Sequence, residues 1–331
     1  MSAGLYLPDA VDLDVLSIEP HRTFDICNPL LDNSRAIEEF YRENGYLFFR
    51  DVLDQSSILQ ARDAMLAIAA DCYGLVEKGD ASARWTGKPL GEDWFEEDPV
   101  FAGISRRLVE TPHNLEVLAR CLSETVCLVP NVNYRLYPPG GPVTGAHQDG
   151  FFSPGIDAFR PLWIPLVPMS RDVGGLIVAL GEHKNGYFHN LAPGKALRIP
   201  QGVINPESWA TADYQPGDLL VVHPSTPHAG MPNRSDRLRI SLDVRIQSAA
   251  NPTAFAGIVT AVTSTSISIA ADDGGIGEIT LSVDADTFIR VLHPGIREPF
   301  DRFVEYTQPG MRLTIVRNAD RAMMLRSGSN P

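Results

Sequence analysis

From residue 34 to residue 122 the apolar positions recur at intervals of three and four, and from residue 126 onward they fall in short runs and alternations separated by Gly, Pro and Asp. The first spacing belongs to helices packed through one face, the second to strands. A helix is expected to begin at Ser34, to bury Ile37, Phe40 and Tyr41, and to stop at Gly45. Tyr46-Leu47-Phe48-Phe49 then reads as a buried strand. A second helix, capped by Ser56 or Ser57, presents Ile58, Ala61, Met65 and Ile68 on one face. A third, near residues 113–122, presents Leu115, Leu118 and Leu122. Residues 1 to about 30 lack periodicity and are expected to wrap the surface as an arm. Residues 77–100 are charged and carry Trp85, Trp94 and Phe95, aromatics that either pin a surface loop or cap a pocket.

Strands are expected at residues 132–137, 162–168, 176–179, 219–222 and 238–244. Many short strands without interleaved helices imply a mostly β fold with flanking helices, a jelly roll or barrel. The polar stretch 247–252 marks a boundary, so that residues 1–250 form one domain and residues 251–331 a small β-rich second one. This block alternates at 258–262, 266–270 and 276–283, turns at Asp272-Asp273-Gly274-Gly275, and ends in a hairpin of 311–316 with 321–325. Roughly 80 residues can just support a core of their own. The block contains His293 without a metal-ligand cluster, and its expected role is packing or homo-oligomerisation.

A formal net charge of −13 argues against nucleic acid or an anionic membrane surface as the partner. Cys27, Cys72, Cys121 and Cys127 form neither a CxxC pair nor a regular framework, which fits reduced thiols in the cytoplasm. The first residues carry no basic or long apolar leader, and no apolar run approaches membrane-spanning length. A cytoplasmic protein is expected.

His147 and Asp149 stand two apart, after the turn Pro138-Pro139-Gly140-Gly141-Pro142. In a strand, residues two apart share a face, so both side chains would reach one ion. Two imidazoles and one carboxylate leave three adjacent positions of an octahedral ion open, as a non-haem Fe(II) oxygenase requires. Spacing offers two candidates for the second imidazole: His223, which closes an apolar strand, and His228, which follows a Ser-Thr-Pro turn. His228 is preferred because the chain after it turns into a strand bearing Arg239. On that strand Arg237, Arg239, Ser241 and Arg245 share one face, and Leu238, Ile240 and Leu242 the other. A guanidinium beside a serine hydroxyl suits the distal carboxylate of a dicarboxylic cosubstrate. Arg237 and Arg245 are read as surface ion pairs.

The chain resembles the phytanoyl-CoA dioxygenase (PhyH-like) family of Fe(II)/2-oxoglutarate oxygenases over roughly residues 35 to 247. The resemblance rests on His147-Gln148-Asp149, on the run from Gly174-Gly175-Leu176 to Glu182-His183-Lys184-Asn185-Gly186, and on the run that joins His223 and His228 to Pro232-Asn233-Arg234-Ser235 and Arg239. It implies a double-stranded β-helix of jelly-roll or cupin type, with Fe(II) on His147, Asp149 and His228. It also implies that Arg239, helped by Ser241, holds the C5 carboxylate of 2-oxoglutarate, that Gln148 and Trp163 lie near this cosubstrate, and that His183 and His223 are not ligands. The implied reaction consumes O2, releases succinate and CO2, and oxidises a substrate C–H by hydroxylation, desaturation, epoxidation, ring closure or demethylation. Related halogenases carry a small residue in place of the metal carboxylate, and Asp149 points away from that chemistry. Leu180 stands where the family has Pro, and the block after Pro252 lies outside the family core.

Phe151 and Phe152 beside the metal motif, with Trp85 and Trp94, point to a largely apolar small-molecule substrate. Arg160 or Arg171 could meet a carboxylate on it, and no cluster of Lys and Arg marks a site for CoA phosphates. Two rivals stand beside this reading. A cupin-like metalloenzyme that does not use 2-oxoglutarate would have no need of Arg239 with Ser241. A non-catalytic metabolite binder would be expected to have lost a ligand.

Overall fold

The computed structural model describes residues 18–90, 99–130, 133–152, 159–188, 199, 203–272, 275–292 and 298–327. Helices α1 (Ser34–Asn44), α2 (Gln55–Asp71), α3 (Pro99–Val109) and α4 (Pro112–Leu122) precede most of the strands, and α5 (Asp149–Phe152) and α6 (Phe303–Tyr306) are single turns. Asn33, Asp54 and Thr111 accept the backbone N–H groups of Ala36, Ser57 and Asn114, so α1 and α2 are capped just before the serines expected to cap them. Gly45 ends α1 at φ +78°, where a side chain would meet His183 and Thr226. Helix α3 was not expected. Its buried Ile104 and Leu108 have helical spacing, but they span barely more than a turn next to a charged stretch.

The strands are β1 (Arg22–Thr23), β2 (Tyr46–Phe49), β3 (Val126–Leu128), β4 (Asn133–Tyr137), β5 (Arg160–Pro165), β6 (Leu176–Ala179), β7 (Trp209–Thr211), β8 (Leu219–Val222), β9 (His228–Gly230) and β10 (Arg239–Ser248). They make two sheets, one ordered β1-β7-β6-β9 and one ordered β2-β8-β5-β10-β3, with β4 also paired to β10. The chain is mostly β, as expected. Strand β10 is the spine: it pairs with β4 through residues 239–243, with β5 through 241–246 and with β3 through 246–248. One face of β10, Ile240, Leu242, Val244 and Ile246, is fully buried in the main core with Ile37, Tyr41, Ile58, Met65 and Leu118 of the helices. The opposite face, Arg239, Ser241, Asp243 and Arg245, turns toward the smaller sheet.

Residues 254–327 form a third sheet from β11 (Ala254–Val262), β12 (Ser266–Ala271), β13 (Glu278–Ser282), β14 (Phe288–Arg290), β15 (Arg312–Asn318) and β16 (Arg321–Ser327), ordered β13-β12-β11-β15-β16-β14. A parallel pairing of β13 with β16 at Ser282 and Arg321 closes five of these strands on themselves. Inside lies a separate apolar cluster that includes Phe255, Ile267, Ile269, Leu281, Leu313, Ile315 and Phe303 of α6. A smaller cluster joins this sheet to the rest of the chain, with Val129 and Phe159 against Ala254, Phe288, Val316 and Met324. The polar stretch read as a boundary is tied down. Gln247 is buried within β10, its carbonyl accepts from the N–H groups of Thr253 and Ala254, and its amide donates to the Ala254 carbonyl at 2.6 Å. His293 lies outside the described residues. Among the described residues no helix is long and apolar enough to cross a membrane.

Candidate active site

His147 and Asp149 do not share a strand, contrary to the expectation from their spacing. His147 is bridged to His228 at the end of β9 by two backbone hydrogen bonds of 2.9 Å, and Asp149 opens the single turn α5. The tripeptide leaves the bridge and enters a helical turn, which folds the carboxylate back toward the imidazoles. The two rings lie 4.2 Å apart, and Asp149 Oδ1 lies 3.5 Å from His147 Nε2 and 4.0 Å from His228 Nε2. One ligand atom from each of the three residues falls within 4.8 Å of the others, a group able to hold a metal ion. His147 Nδ1 is 2.9 Å from the Gly145 carbonyl and His228 Nδ1 is 3.0 Å from the Thr226 carbonyl. A carbonyl can only accept, so each Nδ1 carries the proton and each Nε2 offers a lone pair.

The electrostatics favour the ligating forms. Burial and the neighbouring His147 push His228 down to about 4, which keeps it neutral. Burial works to raise the Asp149 pKa, but the charge of Arg245 leads the effects that outweigh it, and the carboxyl is held well below its ordinary value. Arg245 Nη2 donates to Asp149 Oδ2 at 2.9 Å, which leaves Oδ1 turned to the histidines. The reading of Arg245 as a surface ion pair is therefore corrected: its side chain is one-tenth exposed and faces inward. Arg237 keeps the surface role, half-exposed beside Asp236.

A chamber between the two sheets is lined by His147, Asp149, His228, Arg239, Trp163 and, among others, Arg135, Asp243 and Arg245. Arg239 is 1% exposed, stacks over the Tyr137 ring at 4.8 Å and donates to the Met231 carbonyl at 3.2 Å, while its Nε has no partner. Ser241, on the same face, is fully buried with an unpartnered hydroxyl. A buried guanidinium without a counter-anion costs several kcal/mol, so this pair fits a carboxylate supplied from outside the chain. Gly230 makes room: a Cβ there would come within 3.1 Å of Arg239 Nη1.

The other expected positions divide. Trp163 lines the chamber, with its indole nitrogen unpartnered. Gln148 is fully buried outside the lining, where its amide ties Gly186, Phe188 and Ser225 together. Phe151 is buried against Tyr187, and the Phe152 side chain and all of Trp94 lie outside the described residues. Trp85 packs on the main core and donates to the Lys88 carbonyl, which pins its loop. Arg171 holds the Pro20 carbonyl and Arg160 pairs with Glu38, neither of them in the chamber. Sequence reasoning missed Arg135 and Asp243, which pair at 2.7 Å in the chamber. The available signal was the alternation of charge with apolar residues along β10.

The phytanoyl-CoA dioxygenase (PhyH) family profile matches residues 41–241. A 1-deoxypentalenic acid 11-beta-hydroxylase from Streptomyces exfoliatus is 33% identical over 250 residues, covering 69% of this chain and 86% of the relative. Its counterpart from Streptomyces arenae is 32% identical over the same span. The chain belongs to the phytanoyl-CoA dioxygenase family. Among solved structures, the apo form of the non-heme monooxygenase ThoJ superposes with a TM-score of 0.49 at 20% identity, covering 68% of this chain and 82% of that one. As a phytanoyl-CoA dioxygenase family member, the protein is an Fe(II)- and 2-oxoglutarate-dependent oxygenase that uses O2 and acts on a small molecule. The donor set suits that iron: two imidazoles, each with Nδ1 tied to a backbone carbonyl, and one carboxylate.

Proposed function

We propose that His147, Asp149 and His228 hold Fe(II), that Arg239 and Ser241 hold the C5 carboxylate of 2-oxoglutarate, and that the enzyme hydroxylates an unactivated C–H of a small, largely apolar molecule. The observation that carries this reading is the buried Arg239, without an ion-pair partner among the described residues, in the same chamber as the His–Asp–His group. Bound iron with 2-oxoglutarate supplies the oxidation of the substrate by O2. The chain's own residues do the rest. The Gly145 and Thr226 carbonyls fix the imidazoles, Arg245 aims the carboxylate, and Leu162, Trp163, Leu176, Val222 and Val244 line a wall that excludes water. Hydroxylation, among the outcomes open to such a site, is favoured by the names of the two relatives.

On the same reading, residues 1–250 are the oxygenase domain, a double-stranded β-helix, and residues 251–331 are a second domain for packing or homo-oligomerisation. Its support is the separate apolar cluster and the closed pairing of the third sheet. We also propose a cytoplasmic location, a reading that the four free thiols support. Anaerobic titration with Fe(II) and 2-oxoglutarate tests the site. The visible charge-transfer band of the chelate is expected in the wild type, and in Arg239→Ala only at much higher 2-oxoglutarate. Iron binding without a band would replace this reading with the cupin-like one.

A further inference from the structure

Arg245 has more donors than Asp149 uses. Nη2 holds Asp149 Oδ2, while Nε and Nη1 are buried without a hydrogen-bond partner among the described residues, and the side chain lines the same chamber as the His–Asp–His group. A guanidinium stays charged at any working pH, and a buried, unmet donor is costly until a ligand meets it. The charges of the lining point the same way. Among the described residues of the lining, three guanidinium groups, Arg135, Arg239 and Arg245, stand with two carboxylates, Asp149 and Asp243. Asp243 is engaged by Arg135, Asp149 serves iron, and Arg239 awaits 2-oxoglutarate. The lining of the chamber also includes the apolar residues Pro161, Leu162, Val222 and Val244.

We infer that Arg245 serves two partners, fixing Asp149 through Nη2 and receiving a carboxylate of the substrate on its remaining donors. The substrate class is then a small apolar monocarboxylic acid. This rests on the assignment of iron and 2-oxoglutarate above. It differs from the earlier expectation that Arg160 or Arg171 would meet such a carboxylate, since both are engaged outside the chamber. Toward the iron Arg245 is a positioning residue, and toward the acid a specificity-determining one.

The test uses the full chain loaded anaerobically with Fe(II) and 2-oxoglutarate, and the matched probes cyclohexanecarboxylate and cyclohexanecarboxamide, with binding read by calorimetry. Formation of the charge-transfer band reports on the iron and 2-oxoglutarate assignment alone. The acid-over-amide ratio reports on Arg245. Wild type should prefer the acid by about ten-fold or more, the worth of one charge-assisted hydrogen bond. Arg245→Gln, loaded with enough Fe(II) and 2-oxoglutarate to show the band, should bind the two probes equally. Equal or absent binding of both by the wild type overturns the inference, and so does an undiminished preference in the variant. A 2-oxoglutarate requirement in Arg245→Gln raised as far as in Arg239→Ala would assign Arg245 to the cosubstrate and also overturn it. If Arg245→Gln fails to form the band, Arg245→Lys takes its place: a band with a reduced acid preference supports the inference, and a band with the full preference overturns it.

Discussion

Two interiors in this chain are built from alternating strands and filled with opposite contents. The C-terminal strands enclose Ile267, Ile269, Leu281, Leu313 and Ile315, all fully buried. The chamber between the other two sheets encloses Arg239, Asp149, His228 and Arg245, each less than a tenth exposed. Burial is nearly the same, and its energetic sign is not. Apolar area removed from water contributes about 25 cal/mol per Å², whereas a charge taken from water costs several kcal/mol unless it is met. The C-terminal interior therefore supports the fold, and the chamber is supported by the helix-packed face of β10 behind it. A protein keeps a buried set of charges when something that binds there needs them.

The sharpest way to break the contrast is to remove one member of the charged interior. His228→Ala should reduce Fe(II)-dependent succinate formation to background and abolish the charge-transfer band, with thermal unfolding little changed; a variant that keeps wild-type turnover would refute the ligand assignment. The apolar interior should respond in the opposite manner. Leu281→Ala is expected to lower the unfolding free energy by about 2–5 kcal/mol, because it leaves a cavity in a filled core. The fraction that remains folded should titrate with Fe(II) and 2-oxoglutarate as the wild type does. A weakened 2-oxoglutarate affinity in Leu281→Ala would mean that the two interiors are mechanically linked through the cluster of Val129, Phe159, Phe288 and Met324.

The contrast also explains what the sequence disclosed. Helices α1, α2 and α4 and strands β2, β6 and β8 were legible because one-sided apolar spacing and capping residues act locally. His147, Asp149, Arg239 and Ser241 were legible as chemistry. The short strands β7 and β9 were not, since three residues carry no period and their pairing is decided by distant partners. Strand β10 misled for a better reason. Its apolar residues alternate with Arg239, Ser241, Asp243 and Arg245, and on that one face Arg239 and Ser241 read as a carboxylate clamp while Arg245 reads as a surface ion pair. The strand is covered on both faces, and alternation tells only that the two faces differ. The same limit applied to His147 and Asp149, whose two-residue spacing suggested a shared strand face when the turn of α5 brings them together.

Arg239→Met sharpens the contrast at its smallest scale, since it gives one position of the charged interior the contents of the apolar one. Methionine fills much of the space of the arginine stem, needs no counter-anion and leaves no unmet Nε. Without 2-oxoglutarate the variant should be as stable as the wild type or more so, by about 1–4 kcal/mol, as when buried ions are replaced by apolar side chains. With Fe(II) and excess 2-oxoglutarate under anaerobic conditions the order should reverse. The wild type gains stability in proportion to the logarithm of ligand over Kd, and a variant whose 2-oxoglutarate affinity has fallen by about a hundred-fold loses about 2.7 kcal/mol of that gain. Differential scanning calorimetry of both proteins with and without 2-oxoglutarate makes the measurement. A variant less stable than the wild type in the absence of ligand would show that Met231 and the Tyr137 ring already satisfy the guanidinium, and that Arg239 belongs to the fold before it belongs to the cosubstrate.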